Sequence, residues 1–70
     1  MKYLVLLLRA QSWAIGETIE SAASAARGEG GNKRGEKRIV FRFDPEQTPK
    51  VFIDRWGSLC YEGAPPEEIP

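Results

Sequence analysis

Residues 3–8, Tyr-Leu-Val-Leu-Leu-Leu, form an unbroken apolar run between Lys2 and Arg9. The run is aliphatic, short and bounded by charges, so it reads as a strand. Successive side chains of a strand point to opposite faces. Leu4, Leu6 and Leu8 therefore share one side, and Tyr3, Val5 and Leu7 the other. A strand that is apolar on both faces belongs inside a sheet. The run falls far short of the roughly 20 residues needed to span a bilayer. It is also followed by Arg9 rather than by a small-residue cleavage site, so it does not read as a secretory leader.

The next firm signal is helical. Ile19, Ala22, Ala23 and Ala26 fall at i, i+3, i+4 and i+7, one narrow helical face. Thr18 suits the N-cap and Gly28 stands just past the last turn. Glu17 and Glu20 sit near the positive end of the helix dipole and Arg27 near the negative end. The stretch between strand and helix, "AQSWAIG", reads as a connection.

Residues 28–37 read as a loop. "RIVFRF" (38–43) alternates cleanly, with Ile39, Phe41 and Phe43 on one face and Arg38, Val40 and Arg42 on the other. "DPEQTP" is a turn region whose two prolines cannot donate ladder hydrogen bonds. "KVFID" (50–54) is a strand with Val51 and Ile53 towards the core and Lys50, Phe52 and Asp54 outside. "RWGS" is a turn with Gly57 in the permissive position, and "LCYE" is a short last strand. The order is β-α-β-β-β, an α+β domain in which one helix packs on a mainly antiparallel sheet of three to four strands, in two layers. The domain covers residues 1–63, and 64–70 form a proline-rich acidic tail, extended and frayed.

The chain has 70 residues, ten basic and ten acidic side chains and no net charge. The charge is uneven. Residues 27–42 hold Arg27, Lys33, Arg34, Lys37, Arg38 and Arg42 against Glu29 and Glu36, a local sum of +4. Four of the seven glycines lie there too. That run follows a helix and precedes a strand, which is the wrong context for a phosphate-binding loop. Its spacing also fails both nucleotide-binding fingerprints, since Lys33 stands where each needs a glycine. It reads as a solvated connector, or as a phosphate-seeking arm carried by Lys33, Arg34, Lys37 and Arg38.

Histidine is absent and Cys60 is the single cysteine. Ser-His and Cys-His nucleophile systems are thereby excluded, as are an internal disulfide and a Cys/His metal cluster. Cys60 reads as a packing residue. No cofactor, no enzyme activity and a cytoplasmic setting are expected.

One helix cannot cover both faces of a sheet. The side bearing Tyr3, Val5, Leu7, Arg38, Val40 and Arg42 is expected to be left open, with Lys50, Phe52 and Asp54 joining it. A basic surface with aromatic residues fits a protein partner. Arg38, Arg42, Lys50, Phe52 and Trp56 are the expected contacts. Two alternatives stand beside this: direct nucleic-acid binding by Lys33, Arg34, Lys37, Arg38 and Arg42, disfavoured by the zero net charge, and self-association through the sheet into a homodimer.

The opening "MKYLVLL" is similar to the first strand of HicB-type antitoxins, whose Phe-Pro-Asp-Leu-Pro-Gly-Cys segment has no counterpart here. In size and element order the chain resembles small phage-encoded anti-CRISPR proteins that act on type I complexes. The likeness lies in the Met-Lys first strand, a helix opening like "IESAASAAR", and antiparallel strands with a tryptophan near a turn. It implies a stoichiometric inhibitor that docks on a Cas subunit or on the guide-RNA complex in a bacterial host. It transfers no individual binding residues.

Overall fold

A computed structural model of the chain describes residues 1–28 and 36–70. In chain order the elements are β1 (Lys2–Leu7), β2 (Ser12–Gly16), α1 (Ile19–Arg27), β3 (Arg38–Phe43), β4 (Lys50–Ile53), β5 (Leu59–Glu62) and β6 (Glu67–Ile69). The apolar run is the inner strand β1, flanked antiparallel by β2 and β3. β6 pairs with β3, giving a four-stranded sheet in the order β2-β1-β3-β6. β4 and β5 form a separate two-stranded hairpin. The fold is α+β, one helix packed on an antiparallel sheet, and the hairpin adds a layer to the two expected. No helix among the described residues is long and apolar enough to cross a membrane.

α1 follows its sequence signals closely. The Thr18 hydroxyl accepts from the Ser21 amide at 3.0 Å, and the Ser21 hydroxyl accepts from the Thr18 amide at 3.1 Å. This reciprocal box satisfies two donors that a helix start leaves without intrahelical partners. Gly28 caps the other end. Arg27 holds Glu36 through Nε at 3.0 Å and Nη2 at 3.1 Å, tying the helix end to the approach to β3.

The core is in two parts, one on each side of β1. Val5 and Leu7 pack with Ala22, Ala23 and Ala26 of the helix, and with Ala14 and Val40. Leu4 and Leu6 pack with Phe41, Phe43, Ile15 and Ile39, under Val51 and Leu59 of the hairpin. Val5 is 0% and Leu7 2% exposed. The side expected to lie open is thus sealed by the helix in its β1–β2 half, and the hairpin takes the face assigned to the helix. Size explains the exchange. An alanine-lined helix lies close and fits a shallow aliphatic surface, whereas the bulky Ile39-Phe41-Phe43 face fills the wider space beneath a second sheet, typically about 10 Å away.

Three further expectations are corrected. "AQSWAIG" is not a connection: Ser12–Gly16 forms β2, with Trp13 and Ile15 on the hairpin side and Ala14 on the helix side. The β1–β2 turn lacks glycine, proline, asparagine and aspartate, and its left-handed residue is Gln11 at φ 51°. Residues 64–70 are not frayed, because β6 pairs with β3 and Glu67 meets Arg42 at 2.7 Å. β4 and β5 do not extend the main sheet. The connection from β3 makes a 3-10 turn at Pro45–Gln47 and leads the chain across to the other face.

Gly16 marks where helix and sheet meet most closely. A Cβ there would stand 2.8 Å from the Ala22 backbone nitrogen and 2.5 Å from Ser21 Oγ. A hydroxyl can rotate away, but the backbone of the first helical turn cannot. Gly16→Ala is expected to cost about 1–3 kcal/mol by overpacking. In thermal unfolding followed by circular dichroism the midpoint falls by several degrees; an unchanged midpoint would contradict this packing.

Candidate docking site at the cationic end

The turn joining β4 to β5 is built around Asp54. Its amide donates to the Ser58 carbonyl at 2.9 Å and its carbonyl accepts from the Gly57 amide at 3.1 Å. Its Oδ1 accepts from the amides of Trp56 and Ser58, both at 2.9 Å. The loop is Arg55-Trp56-Gly57, and Gly57 has φ 80°, the left-handed conformation that closes a three-residue hairpin. The Cys60 thiol donates weakly to Oδ2 at 3.6 Å. The Ser58 amide foremost, then the Trp56 amide and the thiol, outweigh burial and hold the Asp54 carboxyl below its ordinary value. Burial, with the Asp54 charge behind it, pushes the Cys60 thiol up, so the sulfur stays protonated as a donor.

This hydrogen-bonded tip displays Trp56 at 79% exposure. The Arg55 guanidinium lies 5.4 Å from the indole centroid, within cation–π range. Gln11 Nε2 donates to the Gly57 carbonyl at 2.8 Å and so ties the β1–β2 turn to the tip. Gln11 is the one described non-glycine residue with positive φ. A residue held in that region points to a local demand, and the demand here is this cross-layer bond.

Between the turn and the hairpin runs a cleft of about 440 Å³. Leu6, Leu8, Ile39, Phe41, Leu59 and Tyr61 line it, with Gln11 and Gly57 at one end. Phe41 and Tyr61 meet edge to face at 5.9 Å across the two layers. Leu8 and Tyr61 remain exposed at its mouth.

Strand register separates the charges along the molecule. The end that holds the β1–β2 turn, the start of β3 and the hairpin tip carries Arg9, Arg27, Lys37, Arg38 and Arg55. Among the described residues the acids there are engaged, Glu36 with Arg27, Glu20 with Arg38 and Asp54 with the tip amides. The other end gathers Glu17, Asp44, Glu46, Glu62, Glu67 and Glu68 around Lys2, Arg42 and Lys50. A chain of zero net charge thus has one cationic and one acidic end.

The residues expected from the sequence do not form one patch. Trp56, Lys37 and Arg38 share the cationic end, where Arg38 also lies 3.9 Å from Glu20. Arg42 sits at the acidic end, on the helix side of the sheet, bound to Glu67, which raises its pKa. Lys50 and Phe52 lie on the outer face of the hairpin, opposite Glu62 and Cys60. Lys33 and Arg34 lie outside the described residues. Sequence reasoning missed Leu8, Gln11 and Tyr61, because their role depends on a second layer packed over the sheet. Among the described residues no group of three or more His, Cys, Asp or Glu side chains could hold a metal ion. No family model, curated protein or solved structure matches the chain.

The lowered Asp54 pKa fixes the sign of its pH dependence. A carboxyl whose pKa falls on folding stabilises the fold above the unfolded value, and the contribution is lost as pH drops through the folded value. In an acid titration by NMR, the Trp56 and Ser58 amides should therefore shift with an apparent pKa below that of the unfolded chain. Asp54→Asn should abolish that transition. A transition at or above the unfolded value would contradict the hydrogen bonding described.

Proposed function

We propose that this protein is a non-enzymatic binding module that docks a protein partner at its cationic end, with Trp56 as the central contact. The observation that carries this reading is an exposed tryptophan on a hydrogen-bonded tip beside an apolar cleft. Tryptophan and arginine dominate binding hot spots, and a preformed loop reduces the ordering cost of association. Leu8 and Tyr61 supply apolar contact at the cleft mouth. Arg9, Lys37 and Arg55 put positive charge at this end of the molecule, with Arg38 adding to it from the helix side of the sheet, which favours an acidic partner surface and speeds encounter.

The resemblance to phage anti-CRISPR proteins makes a type I complex the first partner to examine, on a Cas subunit or on the guide-RNA complex. The chain would then act as a stoichiometric inhibitor in the bacterial cytoplasm. Nucleic-acid binding is the second reading, favoured by Lys37 and Arg38 sharing one end of the molecule with the exposed Trp56 indole and its Arg55 neighbour.

Titration of the purified chain into a purified type I complex tests the first reading. DNA capture should fail near one chain per complex, and Trp56→Ala should weaken the effect by roughly 30-fold, the scale of a hot-spot contact. Unaltered DNA capture at saturating excess would remove the inhibitor reading. Salt separates the second reading: direct phosphate contacts give a log–log slope of about −0.9 each on duplex DNA, and a chain that binds neither DNA nor RNA at low salt excludes it.

A further inference from the structure

β2 is an edge strand, paired among the described residues with β1 alone. A sheet edge offers unpaired N–H and C=O groups to any other strand, so edges are commonly guarded by charge or proline. The opposite edge of this sheet is guarded in that way: β6 is Glu67-Glu68-Ile69, preceded by Pro65 and Pro66 and followed by Pro70. β2 is Ser-Trp-Ala-Ile-Gly, with neither charge nor proline.

The helix flank above this edge is also uncharged. α1 follows β2, with Ser21 at Gly16 and the Ser12 hydroxyl donating to the Ala26 carbonyl at 2.9 Å. Ala22, Ala23 and Ala26 are buried. Glu20 and Arg27 lie on the flank towards β3, where they reach Arg38 and Glu36. Helical spacing leaves Ser21 and Ala25, one turn apart and both exposed, on the flank over β2. On the sheet's other side Trp13 is 39% exposed.

We propose that β2 is a homodimer seam, in which two copies pair their β2 strands antiparallel across a two-fold axis at Ala14. The strand is self-complementary about that residue. Trp13 of each copy falls opposite Ile15 of the other, an aromatic–β-branched pair of the kind that stabilises antiparallel sheets. Ser12 falls opposite Gly16. Above the seam the two helices meet through Ser21 and Ala25, side chains small enough for close approach. The antiparallel arrangement also sets the Arg9 turn of each copy near Glu17 of the other, so the cationic end of one lies beside the acidic end of its mate. Such an isologous contact closes on itself. It joins the two four-stranded sheets into one and sends the two Trp56 tips to opposite ends of the dimer.

Sedimentation equilibrium from about 1 to about 200 μM tests the seam. The mass should rise from one chain to two across that range. Ala25→Arg, at an exposed position suited to a good helix former, should raise the dimer dissociation constant at least ~10-fold with the circular dichroism spectrum unchanged. Trp13→Lys, which places a guarding charge on the edge, should do the same. Trp56→Ala should leave the dimer intact, because the tip lies away from the seam. A single-chain mass at the highest concentration would overturn the proposal, as would a dimer that Ala25→Arg leaves unchanged or that Trp56→Ala dissociates.

Discussion

The structure depends on burying one strand on both faces. Leu4, Val5, Leu6 and Leu7 are consecutive, and all four are buried. Full burial of such side chains contributes about 1.5–3 kcal/mol each, a large share of what a domain of this size can spare. The two faces demand different covers. Val5 and Leu7 take a slim helix of alanines, and Leu4 and Leu6 take a hairpin resting on two phenylalanines. Neither cover alone would leave β1 dry.

That arrangement has consequences for the surface. Once helix and hairpin are both committed to β1, their outer parts become the molecule's contact features. The hairpin tip extends to the β1–β2 turn and is fastened there by the Gln11–Gly57 bond. Trp56 is displayed because the tip's polar groups bond one another and the neighbouring turn. The helix, drawn towards β1 and β2, leaves a groove of about 490 Å³ beside Ile19, Val40 and Ile69 over the β3–β6 half of the sheet. The cationic and acidic ends also follow from chain direction, since all strands of the main sheet are antiparallel.

Much of this is legible in the sequence where the signal is local. The double-faced run at 3–8, the capped helix from Thr18 to Gly28, the alternation at 38–43 and the hairpin around Gly57 all correspond to observed elements. The failures arise where tertiary packing decides. Ser12–Gly16 lacks a preceding turn signal, because Gln11 adopts the left-handed conformation that glycine or asparagine usually supplies. Glu67–Ile69 reads as tail because three residues among prolines have no strand signature until β3 offers an edge. The face of Val5 and Leu7 reads as open because the larger hydrophobes at 39, 41 and 43 read as the helix's partners. Small side chains on a helix indicate a close partner, not a bulky one, and Gly16 and Ala14 were the residues that could have shown it. At the site, Trp56 is legible from its turn, whereas the cleft beside it needs two layers that no local pattern reveals.

Amide hydrogen exchange measured residue by residue tests the doubly covered strand most directly. The amides of Leu4 to Leu7 should exchange slowest in the protein, and at the rate set by global unfolding. Exchange in β1 as fast as that of the hairpin tip at residues 54–58 would mean that one of its covers opens freely, and would contradict this account.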